Sequence, residues 1–323
     1  MKRALITGVT GQDGSYLAEF LLAHGYEVYG TVREEGSGDP SKLSNIEMIK
    51  DRIHLIPLSL NRFSRMASIL RDIQPDECYH FAAYTFVDDP LDTDMRIMQD
   101  NLVATHHLIL AILKACPKCK LYFAGSSEMF GIPEHAPQDE ETVFRPRSVY
   151  GISKMSCGQL IRYYRQKHDL FACTGILYNH ESSRRGKRFV SRKITAGAAA
   201  IYRGKQTHIE LGTLSACRDW GYAPDYVRAA HTMLQGPTPQ DYVIATGVLH
   251  TVQEMVDYAF SYVGLKASDY IRVNPDFVRA DEKTPLQGDF SKIRNELGWK
   301  PQKSFQEMIE EMVENDLRLL EQE

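Results

Sequence analysis

The architecture is announced at Arg3-Ala4-Leu5-Ile6-Thr7-Gly8-Val9-Thr10-Gly11-Gln12-Asp13-Gly14. The apolar run of residues 3–7 is short and ends in glycines, which reads as a buried strand. After the GxxGxxG, Tyr16, Leu17, Phe20 and Leu21 fall at helical spacing until Gly25 stops the helix. Glycines between a strand and a helix allow a tight turn and let backbone approach a pyrophosphate. The helix N-terminus adds N–H donors and a favourable dipole. The segment is a candidate dinucleotide-binding turn, with Gly8, Thr10, Gly11, Gln12, Asp13 and Gly14 as its contacts.

A second strand, residues 26–32, ends at Arg33. An acid at this point would favour NAD, whereas an arginine accepts a ribose 2′-phosphate and favours NADP. Glu34 and Glu35 follow at once and pull towards NAD, the less favoured alternative. The alternation continues with strand-like segments at 78–83, 120–125 and 171–178 and helical ones at 101–115 and 150–168. That order implies βαβ units and an α/β fold: a Rossmann-type, doubly wound parallel sheet with a smaller, mixed α/β substrate domain. Beyond residue 180 the pattern loosens into one helix within residues 184–205, a loop-rich stretch to Ala223 and a helix near 254–263. The last helix has a capping box, Ser304 and Glu307, and one apolar stripe of Phe305, Met308, Ile309, Met312 and Val313. The expected division is a dinucleotide-binding domain over 1–178 and about 222–255. A smaller substrate domain would take about 179–221 and 256–323, the chain crossing between them.

The 323 residues are 43% hydrophobic and 25% charged, with a net charge of −4, which fits a globular protein of one large or two modest domains and argues against a nucleic-acid partner. No apolar run approaches the roughly 18 to 20 residues of a membrane span. The opening runs straight into a strand, so a cytoplasmic chain without a signal peptide is expected. Of six cysteines only Cys116 and Cys119 form a short pair, and no second CxxC or HxxxH completes a ligand set. No metal is expected, and the thiols are expected to be free.

Tyr150-Gly-Ile-Ser-Lys154 puts a phenol and an ammonium one helical turn apart. A nearby cation stabilises phenolate and lowers its pKa, which suits a proton acceptor for a hydroxyl losing hydride. Tyr163 and Lys167 repeat the spacing and read as helix surface. Ser126 ends a strand 24 residues before Tyr150 and completes the serine, tyrosine and lysine of a short-chain dehydrogenase/reductase. Glu128 adds a carboxylate that a simple alcohol dehydrogenase does not need. A reaction removing a proton beside a carbonyl and expelling water does need one.

GVTGQDGSYLAEFLL, GSSEMFG, LYNHESSRRG, FVSRKIT, RDWGYAPDYV, YVIATG and LGWKP, in this order along nearly the whole chain, resemble the GDP-mannose 4,6-dehydratases, which are extended short-chain dehydrogenases. The resemblance implies oxidation of the hexose at C4, loss of water across C5 and C6, and return of the same hydride to C6. Tyr150 would take the C4 hydroxyl proton. Lys154 would lower its pKa and hold the nicotinamide ribose, and Ser126, where relatives usually have threonine, would bond O4. Glu128 would take the C5 proton and assist the departing C6 hydroxyl. By family position Arg33, Ser59, Leu60, Phe81, Ala82, Ala83, Tyr84, His180 and Arg185 would meet the cofactor. Thr85, Asn179, Val190, Lys193, Arg218, Arg279 and Glu282 would meet the GDP-hexose. Arg184, Arg185, Lys187, Arg188, Arg192 and Lys193 are six cations without an acid, suited to a nucleotide diphosphate. Trp220 reads as packing rather than contact.

Several positions depart from the family. Arg33-Glu34 replaces two arginines on a loop that in relatives reaches a neighbouring subunit's cofactor, which weakens the case for a tetramer of that kind and leaves homodimer or homotetramer open. Leu58-Ser59-Leu60 lacks the usual aspartate. Ala83-Tyr84-Thr85-Phe86, with Asp88 and Asp89, replaces Ala-Gln-Ser-His. Ser183 and Ala280 stand for prolines, and Asp281-Glu282-Lys283 is unusual. The rival readings are a dehydratase, epimerase or 4-ketosugar reductase acting on another nucleotide-hexose, and a non-catalytic NADP-binding sensor or scaffold. Glu128 argues against a reductase, and the intact tyrosine and lysine argue against a sensor.

Overall fold

The computed structural model describes residues 1–33, 40–85, 93–277 and 284–322. Seven parallel strands form its main sheet in the order β10-β6-β5-β4-β1-β2-β3. They are β1 (Arg3–Thr7), β2 (Glu27–Val32), β3 (His54–Pro57), β4 (Glu77–His80), β5 (Lys120–Ala124), β6 (Ala172–Leu177) and β10 (Tyr242–Ile244). Side-chain alternation along each strand feeds two cores. Ala4, Ile6, Tyr122 and Ala124 enter one with helices α1 (Gln12–Ala23) and α7 (Ala223–Gln235). Leu5, Leu121 and Phe123 enter the other with α2 (Phe63–Ile73), α4 (Ala104–Ala115) and α5 (Val149–His168). Burial on both faces explains why these strands read as continuous apolar runs.

A third core gathers α6 (Val190–Tyr202), α8 (Val252–Tyr262) and α10 (Phe305–Gln322). Beside it lie β7 (Asn179–Glu181), β9 (Cys217–Tyr222) and β11 (Leu249–Thr251) in one small sheet, and β8 (Ile209–Leu211) with β12 (Ile271–Val273) in another. Part of the stretch expected to be loop-rich is thus β8 and β9. The Ser304–Glu307 capping box forms, and Trp220 is buried and stacked on Phe305.

Two junctions tie this region to the main sheet. The fully buried Asp219 carboxylate accepts Thr246 N and Oγ1 at 2.9 and 2.6 Å, Gly247 N at 2.9 Å and Gly288 N at 3.2 Å. Trp299, in LGWKP, donates its indole N–H to the Asp225 carbonyl at 3.0 Å and joins the first core. Among the described residues no helix is long and apolar enough to cross a membrane.

Candidate active site

A cleft of about 1250 Å³ opens at the C-terminal ends of β1, β2 and β4, where ligands bind in open parallel sheets. Gly8 has φ +74° and a Cβ there would lie 3.0 Å from Ala82 backbone; a Cβ on Gly14 would meet the Gly8 carbonyl oxygen at 2.3 Å. The turn is therefore a glycine cradle. Gly11 caps α1 without a side-chain hydrogen bond, and Gly11 to Gly14, at the helix start, line the cleft. These are the features a dinucleotide pyrophosphate requires, and the chain fits that group.

Gly8, Thr10, Gly11, Gln12, Asp13, Gly14, Arg33, Ser59, Leu60, Phe81, Ala82, Ala83 and Arg185 all line this cleft, and so does Thr85, expected on the substrate side. Tyr84, His180, Tyr150 and Lys154 do not line it. The strand expected to reach residue 83 ends at His80, which frees Phe81 to Ala83 to form the cleft wall. Tyr84 is held by Asn101, whose Oδ1 accepts Tyr84 N at 2.7 Å while its Nδ2 donates to Tyr84 O at 3.1 Å. Asn101 lies in a π-helical turn, Met98–Val103, ahead of α4, and also bonds Ser153 at 3.1 Å. Sequence reasoning missed it; a buried asparagine opening an apolar helix was the available signal. Asn45 was missed too, although its Nδ2 holds the Thr10 carbonyl at 3.0 Å.

Ser126 follows β5, Glu128 sits in a short 3₁₀ turn, and Tyr150 and Lys154 open α5. The Ser126 hydroxyl accepts Glu128 N at 3.2 Å and faces the Tyr150 phenol. Gly151 lets the turn approach α5, since a Cβ there would lie 2.5 Å from the Glu128 carbonyl oxygen. Glu128 Oε2 lies 4.0 Å from Arg147 Nε, a neighbour that the sequence had not singled out. Lys154 is buried, donates to Ala124 O at 2.7 Å and sits 5.9 Å from the Tyr150 ring centroid.

The expected lowering of the Tyr150 pKa is not the net outcome in the protein alone. Burial pushes the phenol up to about 12; the Ser126 hydroxyl and Arg185 oppose this, while Glu128 and Asp13 add to it. Burial likewise lowers Lys154 to about 8. Behind it His80, held between Thr7 Oγ1 at 2.6 Å and Thr105 Oγ1 at 2.9 Å, is lowered to about 3 by burial and then by the Lys154 charge.

The six-cation run does not act as one patch. Arg192 is buried and makes a bidentate pair with Asp316, and Arg184 pairs with Glu19 at 2.5 Å. Arg185 lies 3.2 Å from Glu181. The sequence run held no acid because the compensating carboxylates come from α1, β7 and α10. Lys193 lies 4.4 Å from the Phe277 ring centroid, at the start of α6 with Val190, and Asn179 pairs in register with Trp220. Arg218 sits in β9 and donates to Cys217 O at 2.6 Å. Arg279 and Glu282 lie outside the described residues, as do Glu34, Glu35, Phe86, Asp88, Asp89, Ala280, Asp281 and Lys283. Among the described residues no group of His, Cys, Asp and Glu could hold a metal ion.

Solved structures with this fold include a dTDP-glucose 4,6-dehydratase, DesIV, from Streptomyces venezuelae with NAD and TYD bound. It is 22% identical with a TM-score of 0.84, over 98% of this chain and 97% of that one. A UDP-glucose 4-epimerase from Thermotoga maritima is 22% identical with a TM-score of 0.86, over 98% and 99% of the two chains. Sequence relatives are closer. The chain is 43% identical to GDP-mannose 4,6 dehydratase 2 of Arabidopsis thaliana, over 100% of this chain and 88% of the relative. It is 39% identical to the human GDP-mannose 4,6 dehydratase, over 98% and 92%, and 38% identical to that of Vibrio cholerae, over 98% and 94%. The model of the GDP-mannose 4,6 dehydratase family matches residues 5–312, and the chain belongs to that family.

Proposed function

We propose that this chain is an NADP-dependent GDP-mannose 4,6-dehydratase, converting GDP-D-mannose to GDP-4-keto-6-deoxy-D-mannose. The observation that carries the reading is the carboxylate two residues beyond Ser126, whose hydroxyl accepts the Glu128 amide and so ties the carboxylate's turn to the serine beside Tyr150. Ser126 bonds O4 of the hexose, and Tyr150 receives the proton of the C4 hydroxyl. The bound nicotinamide supplies the hydride acceptor for C4, the donor of the same hydride to C6, and a positive ring charge. Lys154, 5.9 Å from the phenol ring centroid, is the cation that the chain itself places beside Tyr150. Once C4 is a ketone the C5 proton is acidic enough for Glu128, which takes it and gives a proton to the departing C6 hydroxyl.

Arg33, exposed at the cleft end of β2, supports the choice of NADP over NAD. The first two cores are read as the cofactor-binding domain and the third as the sugar-nucleotide domain, which receives the GDP moiety at Asn179, Val190, Lys193 and Arg218, with Arg279 and Glu282. We read the assembly as a homodimer or homotetramer. A dimer contact through α4 and α5 is supported by Ile152 and Tyr163, exposed on α5. A reducing cytoplasm suits the six free thiols.

The test incubates the protein with GDP-mannose and a trace of NADP⁺, without reductant. A 4-keto-6-deoxy product with no net change in NADPH absorbance is expected. Stoichiometric consumption of NADPH, or an isomeric GDP-hexose that has lost no water, overturns the reading.

A further inference from the structure

His180, in β7, is buried and stacked on Tyr226 with ring centroids 4.6 Å apart. Its Nδ1 lies 2.7 Å from the Tyr178 carbonyl oxygen and its Nε2 lies 3.0 Å from Asp13 Oδ2. A carbonyl oxygen and an ionised carboxylate only accept, and a neutral imidazole carries a single N–H. Only the doubly protonated ring satisfies both contacts. Asp13, in turn, stands in the first turn of α1, where the helix dipole favours its ionised form, and it lines the dinucleotide cleft.

We infer that His180 stands as an imidazolium at neutral pH and cancels the Asp13 charge at the helix end where the dinucleotide pyrophosphate must approach, so that cofactor affinity depends on His180 keeping its second proton. The inference rests on reading the cleft as a nicotinamide-dinucleotide site. Without compensation, a carboxylate on that turn would repel the pyrophosphate. Burial alone would lower His180, yet Asp13 and the Tyr178 carbonyl outweigh burial and the net shift is upward. Burial would raise Asp13, yet His180, Gln12 and Arg185 outweigh it and the net shift is downward.

The other groups facing the pair leave this arrangement in place. Arg185 opposes the His180 charge but is itself 3.2 Å from Glu181. Tyr178 and Tyr226 are both held neutral at ordinary pH by burial. On α5 the Asp13 charge raises both Tyr150 and Lys154, so cancelling it also spares the phenol a further upward push. His180 acts through Asp13 and is a positioning residue.

The test measures NADPH affinity of the full chain without sugar, from about pH 6.5 to 9.5. Wild-type affinity should weaken by about tenfold or more as His180 loses its proton, the size of one pKa unit of coupling. H180Q should weaken binding by about tenfold or more already at neutral pH, because it strands the carboxylate. D13N, whose amide donates to the Nε2 of a neutral His180, should show a flat profile above neutrality. D13N/H180Q should bind at least about threefold more tightly than H180Q, because no carboxylate is left to cancel. Nitrogen NMR of ligand-free wild type should show both His180 ring nitrogens protonated at neutral pH. A neutral ring, or a double variant as weak as H180Q, overturns the inference. If wild type binds neither NADPH nor NADH at any pH, the reading of the cleft fails instead, and the nitrogen shifts still decide the charge of the pair.

Discussion

The Ser126 hydroxyl accepts the backbone amide of Glu128 at 3.2 Å, so the serine that faces the phenol also fixes the turn carrying the carboxylate. Glu128→Gln should keep GDP and cofactor binding but lose about 10²- to 10⁴-fold in turnover, the usual contribution of a general acid/base group. Ser126→Thr, which keeps the hydroxyl, should cost far less than Ser126→Ala. Steady-state kinetics with GDP-mannose beside GDP titration check both, and full activity in Glu128→Gln would remove Glu128 from the mechanism.

Gly151→Ala tests the same turn from the helix side. Its Cβ would meet the Glu128 carbonyl oxygen at 2.5 Å, and the obstacle is backbone. The turn must shift, and misplacement by about 1 Å costs on the order of 10²-fold in rate. The expected signature is a fall in kcat with NADPH affinity retained; unchanged kcat would show that the contact is slack.

Burial lowers Lys154 to about 8 from its ordinary 10.5. Between these values the unfolded chain carries the extra proton, so this group makes stability rise with pH. Relative to Lys154→Met, ligand-free wild type should gain on the order of 1 kcal/mol from pH 7 to 9. Paired denaturant melts at the two pH values check the sign, and a difference that stays constant between them would contradict it.

Arg192→Ala leaves Asp316 buried without its partner and should cost about 3 to 5 kcal/mol, whereas Arg192→Met with Asp316→Leu should be near neutral. GDP affinity of the double variant should match wild type, because the pair faces the α6–α10 core. Calorimetric titration with GDP checks this; a large loss would return Arg192 to the ligand site.

Asp219→Asn replaces one acceptor oxygen with an amide nitrogen against buried N–H donors. At about 1 to 3 kcal/mol for each group left unpaired, and about 2 to 4 °C of Tm per kcal/mol at this chain size, Tm should fall by roughly 5 °C or more. Thermal unfolding measures it, and an unchanged Tm would mean that the junction contributes little.

Much of the sheet was legible because strands buried on both faces are unbroken apolar runs, as in Leu121 to Ala124. The glycine turn was legible because its residues answer to steric limits that no other side chain meets. His54 to Pro57 was missed because an edge strand is only partly buried and leaves a weak pattern. Helix α2 was missed although Met66, Ala67, Leu70 and Ile73 form its buried stripe. The cation run misled because charge in sequence says nothing of the carboxylates brought by the fold, Asp316 for Arg192 and Glu19 for Arg184. The Tyr150 shift was misread for a related reason: the tyrosine–lysine spacing says nothing of the burial, Glu128 and Asp13 that raise the phenol.

The docking of Trp299 onto the Asp225 carbonyl bears on how the protein is made. The core that shelters the glycine turn draws on Val227 to Leu234, Ile244, Ile293 and Trp299 as well as on residues near the start. During synthesis that layer cannot close until the ribosome has passed the last of these. A nascent chain stopped at the end of β6 would present an unfinished sheet with one apolar face open to water, a species for chaperones rather than a free-standing nucleotide-binding module.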